Sequence, residues 1–184
     1  MELLLKISRM IDRINTRIGR MMAYSVLIIL GFIVYEVFTR RVFSAPTIWT
    51  YEMCSFLFGG YIMLILPYAL LLNVNVSVDV LYNRFSPKTQ RILDIITFVL
   101  FFIPFMVVFL IAGYKFAYLS WVQQEKTWSL WAPLLYPVKL TIPIGTALTL
   151  LQGISELIKK IARVSGKQEW LALIGEGAAK KEVV

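Results

Sequence analysis

Four long apolar runs, separated by polar or aromatic stretches, set the plan of this chain. Residues 21–38 are apolar apart from Ser25 and Glu36, and residues 53–72 carry no charge at all. Residues 92–118 are rich in phenylalanine and interrupted by Pro104, and residues 134–158 hold Pro137, Pro143 and a line of small side chains. A helix of about 20 residues crosses the roughly 30 Å hydrocarbon core of a bilayer, so each run is long enough to span it. The pattern predicts an all-α integral membrane protein with four transmembrane helices over about 21–39, 49–72, 92–118 and 134–158.

The stretches between the runs explain where each helix stops. Arg40 and Arg41 end the first, Pro46 keeps the connection out of helix, and Trp49 sits where an interfacial anchor is expected. Glu52 falls in the first turn of the second helix, next to the positive end of the helix dipole. Residues 73–91 are too polar to cross a membrane, and Ser86 followed by Pro87 is a start signal for the third helix. Residues 120–133, with Trp121, Trp128 and Trp131, form the next interface.

Ahead of the first span, Leu4, Ile7, Ile11, Ile14 and Ile18 form one helical stripe, and Lys6, Arg9, Arg13, Arg17 and Arg20 form another. The pattern predicts an N-terminal amphipathic interfacial helix over about 3–20, with its isoleucines in the acyl boundary and its basic face among lipid headgroups. No small-residue cleavage site follows the first span, so it is expected to be retained. One membrane domain over 1–160 is expected to precede a cytoplasmic tail over 161–184, in which Trp170, Leu171, Leu173 and Ile174 are a candidate surface-binding turn.

Composition agrees. A hydrophobic fraction of 59% and a mean hydropathy of +0.73 exceed the roughly 45–50% apolar content of soluble domains. The net charge of +8 sits at the ends of the apolar runs, a mark of topology that argues against nucleic acid as a partner. With a single cysteine, Cys54, the chain cannot form an intramolecular disulfide, and with no histidine it cannot build histidine-ligated haem or zinc. No cofactor, metal or catalytic residue is expected.

Lysine and arginine are densest in residues 1–20, in the loop after the second span and after the fourth, which places both termini in the cytoplasm. Glu36, Glu52, Lys115 and Lys139 then fall near the outer ends of their helices, beside Arg40 and Arg41, and the middle of each helix is uncharged. Charges at mid-depth mark ion and substrate pathways, so their absence favours a scaffold over a conduit. Glu36, Arg40, Arg41, Trp49, Glu52, Lys115, Lys126 and Lys139 are the candidate outer cluster, either pinning helix ends together or docking an acidic partner. Ser55 and Gly59 on the second helix, and Gly145, Thr149 and Gly153 on the fourth, are candidate helix-packing seams.

Arg40, Val42, Phe43, Pro46, Trp49 and Glu52, read in order and spacing, resemble the small membrane subunit of TRAP transporters, the DctQ type. Val78-Asp79-Val80-Leu81 with Ser86-Pro87, and Trp131, Pro133 and Leu134 followed by Pro143, Gly145 and Leu150-Leu151-Gln152-Gly153, are similar to the family's later signatures. Asn75 stands where the family often has histidine before the Val-Asp pair. The resemblance implies a non-catalytic subunit of a sodium-coupled, tripartite transporter for organic anions in the bacterial inner membrane. Its partners would be a large membrane subunit and a periplasmic solute-binding protein, with lipid around both. A small homo-oligomeric membrane enzyme or channel is the alternative, which would need polar groups within the bundle.

Overall fold

The structure, a computed structural model, describes residues 2–72 and 87–165. Five α-helices and one π-helical turn make up almost all of it: α1 (Glu2–Val42), α2 (Ile48–Leu71), α3 (Pro87–Thr97), the π turn (Phe98–Phe102), α4 (Ile103–Val122) and α5 (Tyr136–Ser165). Four helical stretches are long and apolar enough to cross a membrane: Leu3–Val42, Ile48–Leu71, Ile92–Val122 and Tyr136–Ala162. The Val78-Asp79 motif and the tail with Trp170 lie outside the described residues.

Helix α1 changes the picture most. Its 41 residues form a rod about 62 Å long, twice the thickness of a bilayer core. The amphipathic stretch and the first span, expected as two elements meeting at residues 20 and 21, are halves of this one helix. No proline or polar turn interrupts residues 16–25, so nothing there stops the backbone ladder. The single weak point, Gly19, is buried against the ring of Tyr68 on α2, and a Cβ there would overlap the ring.

The third span widens by one turn of π-helix for a local reason. Pro104 has no N–H to give to the carbonyl of Leu100, so the preceding turn widens, and Ile103 donates to Phe98, five residues back. The widened turn stacks Phe98 on Phe102 at 4.3 Å and sets the Phe102 ring against Gly153 of α5. Next to it, Lys160 lies 3.8 Å from Asp94 and 5.1 Å from the Phe98 ring centre, which holds α3 to α5.

Helix α5 is the hub. It packs on α1, α2, α3 and α4, whereas α4 leans on α5 and α1 pairs with α2. In the most apolar window of each span, 44% of α5 is buried but none of α1. The small residues make this close packing possible. Gly145 meets the backbone carbonyl of Met63, Gly153 the Phe102 ring, and Gly113 the side chain of Ile142, where an added Cβ would come within 2.9 Å. Thr149 is buried and donates to the carbonyl of Gly145 at 2.7 Å.

The contacts also set a stagger between helices. Gly59 faces Val138 and Gly60 faces Thr141, each at ordinary contact distance. Helix α5 therefore begins opposite the middle of α2, and the α1–α2 pair extends roughly two turns beyond it. Ser55, expected in the α2 seam, is instead exposed, and its hydroxyl donates to the carbonyl of Tyr51 in its own helix. The physical reason is the stagger, because residue 55 lies beyond the level at which α5 starts.

Candidate functional site

The two ends of the helical unit are built differently. At the end where α1 starts and α5 finishes, the first turns of α1 meet the last turns of α5 through a buried polar seam. Ser8, Asn15, Gln152, Ser155 and Glu156 are each 3% exposed or less. Asn15 donates through Nδ2 to Gln152 Oε1 at 2.7 Å, and Gln152 Nε2 donates to Asp12 Oδ1 at 2.8 Å. Ser155 Oγ also donates to Asp12 Oδ1, at 3.0 Å, and shares a 2.6 Å hydrogen bond with Ser8 Oγ. Lys159 closes the seam, lying 2.6 Å from Asp12 and 2.9 Å from Glu156.

The isoleucine and arginine stripes dominate the pattern of residues 1–20 and mask this seam in the sequence. A third stripe, Leu5, Ser8, Asp12, Asn15 and Gly19, lies between them at spacings of three and four, and it is the one that is buried or half-buried. Its counterpart on α5, Gln152, Ser155, Glu156 and Lys159, has the same spacing. Two polar stripes of matching period on two apolar helices were the available signal. Ile7 and Ile14 remain exposed, as do Lys6, Arg13, Arg17 and Arg20, while Arg9 is half-buried and partnered.

At the opposite end, α1 turns into α2 through residues 43–47, with Ser44 in the left-handed region at φ 51°. Glu36 organises this connection. It pairs with Arg40 at 2.8 Å, accepts the Thr47 backbone N–H at 3.1 Å, and accepts the Thr47 hydroxyl. The Thr47 and Thr50 hydroxyls lie 2.5 Å apart. Trp49 packs on Phe32 and Tyr35 of α1, each with ring centres 5.9 Å away, so it ties two helices together.

The candidate outer cluster is not one cluster. Lys139 pairs with Glu125, a loop residue the sequence reading did not single out, and its ammonium lies 4.1 Å from the Phe116 ring centre. Glu125 is held below the ordinary carboxylate range by the hydrogen bond it accepts from Lys139. One oxygen of Glu52 is buried without a hydrogen-bond partner among the described residues. Lys115, Lys126 and Arg41 are exposed and make no ion pair among the described residues.

Glu125 also anchors a closed loop between α4 and α5. Leu135 donates its N–H to the Glu125 carbonyl at 2.8 Å, and Thr127 donates to Pro133 at 3.1 Å, beside a single bridge between Lys126 and Leu134. Gln124 and Ala132 take left-handed conformations at its two corners. Trp128 and Leu130 project from the loop with side chains almost wholly exposed, and Trp131 is exposed beside them. Among the described residues no group of three or more Asp, Glu, Cys or His could hold a metal.

These features define a multi-pass helical membrane protein whose helices are locked at one end and present bases and aromatic rings at the other. Residues 29–163 match the DctQ component of tripartite ATP-independent periplasmic transporters. With most of its length matched, the chain belongs to the DctQ family, the small membrane subunit of TRAP transporters. No curated protein matches it. The family match begins within α1, so Ser8, Asp12 and Asn15 lie outside it.

Proposed function

We propose that this chain is a static, non-catalytic subunit that braces the large membrane subunit of a sodium-coupled transporter for organic anions and helps dock the periplasmic solute-binding protein. It lies in the bacterial inner membrane with both termini in the cytoplasm. The observation that carries this reading is the uncharged interior of all four spans. Residues 21–35, 53–72, 98–114 and 140–151 contain no aspartate, glutamate, lysine, arginine or histidine. Charged side chains at that depth mark ion and substrate pathways, and these stretches have none. A brace needs close-packed seams and large apolar faces for its partner, as at Gly145 and Gly153 and along the uncovered flanks of α1 and α4.

The docking surface on this reading is the loop of residues 123–135. Trp128 and Leu130 supply exposed apolar area on a hydrogen-bonded frame, and Lys126 supplies positive charge for an acidic partner.

The test is native mass spectrometry of the chain, tagged at its C-terminus, expressed in its own host and extracted in mild detergent. A one-to-one complex with a much larger membrane protein is the expected result. A homo-oligomer lacking any larger partner would overturn the reading in favour of a small membrane enzyme or channel.

A further inference from the structure

A groove of about 710 Å³ runs between α1 and α2 at the connection end, lined by these two helices alone. Ile29 and Ile33 wall it on the α1 side, Thr50, Cys54, Ser55 and Phe58 on the α2 side, and its mouth carries Glu36, Arg40 and Arg41. It stays open because α5 begins only opposite Gly59.

Two observations identify the occupant. Charge comes first. Glu36 is already engaged by Arg40 and Thr47, which leaves the Arg41 guanidinium at the mouth without an acidic partner among the described residues. A guanidinium there matches the oxygens of a phosphate in two parallel hydrogen bonds. Length is the second. From Arg41 down to Ile29 the helix descends about 18 Å, close to the roughly 15 Å depth of one leaflet's hydrocarbon.

We propose that the groove binds one anionic glycerophospholipid, with its phosphate at Arg41 beside Arg40 and one acyl chain lying along Ile33 and Ile29 against Phe58. Its volume falls within the roughly 300–1,000 Å³ of ligand pockets and accommodates a chain rather than a whole lipid. This goes beyond the bracing role, since it gives the subunit a lipid ligand of its own at the end opposite its buried polar seam.

The test uses the full chain in mild detergent, supplied with dioleoyl phosphatidylglycerol or dioleoyl phosphatidylcholine and weighed by native mass spectrometry. One phosphatidylglycerol per chain is expected to be retained in preference to phosphatidylcholine, and R41Q to reduce that preference about tenfold. Arg41 is exposed, so R41Q leaves the fold intact. I33W, which narrows the wall and keeps both arginines, is expected to lower retention of both lipids. A phosphatidylglycerol with a diazirine near the end of one acyl chain is expected to label residues of α1 and α2 that line the groove.

Retention without headgroup preference, an R41Q variant that behaves like the parent, or labelling confined to α4 and α5 would overturn the site. A crosslink from Cys54, on the groove wall, to the large subunit in the assembled transporter would give the groove to a partner helix and overturn the lipid. None of these readouts depends on uptake, so the lipid site and the bracing role fail separately.

Discussion

Two lysines of α5, one near each end, show how differently the ends of this protein are held. Lys159 is 9% exposed and sits between two carboxylates, inside a seam whose amides and hydroxyls are bonded to one another. Lys139 pairs with one carboxylate, Glu125, which is more than a third exposed on a loop. A buried ion pair contributes little over a well-packed apolar contact, yet losing one partner strands the other in a medium that solvates it poorly. The end with Lys159 is therefore held in register by groups that have no alternative partners. The end with Lys139 is held by pairs that solvent reaches, Lys139 with Glu125 and Arg40 with Glu36, and it remains accessible to something else.

The largest effect is expected where the seam is broken. K159A removes the ammonium shared by Asp12 and Glu156 and should lower stability by about 3–5 kcal/mol, read as a fall in the unfolding temperature of the chain in detergent. If K159A were as stable as the parent, α1 and α5 would not be locked by charge. G145L is next. Its side chain would meet the backbone carbonyl of Met63, which cannot rotate away, and overpacking of this kind costs about 1–3 kcal/mol. G59A, with Val138 at 3.6 Å, should be close to neutral in the same assay.

A smaller effect is expected at Glu125. Its carboxyl titrates below the ordinary range in the folded protein because of the hydrogen bond from Lys139. Stability from the pair is thus fully present above the unfolded-state carboxylate value and is lost as pH falls through the folded-state value. E125Q should flatten that acid limb of an unfolding-temperature profile and leave the neutral plateau only slightly lower. The smallest effect on stability, within about 0.5 kcal/mol, is expected from W128A and L130A because both side chains are exposed. The same pair should nevertheless reduce uptake when the transporter is reconstituted with its solute-binding protein. Unchanged uptake would remove the loop from the docking surface.

Much of the fold was legible in the sequence because bilayer thickness imposes a length on every spanning helix. The start at Pro87 and the close packing at Gly145 and Gly153 could be read locally. The candidate site was less legible. Glu125 looked like one polar residue in a polar loop, and only the fold shows that it answers Lys139, fourteen positions later. Ser55 looked like a seam residue at a spacing of four from Gly59, but the start of α5 falls short of it.

The sequence by itself determined the membrane class, the four spans and the uncharged interior, because each depends on the solvent that a run of side chains tolerates. Tertiary structure decided that residues 2–42 are one helix, that α5 is the hub, and that Ser8, Asp12 and Asn15 face Gln152, Ser155 and Lys159. It also decided that the α1–α2 groove stays open. Those outcomes depend on which face of one helix meets which face of another and at what stagger. Helical periodicity defines the faces, and only packing pairs them.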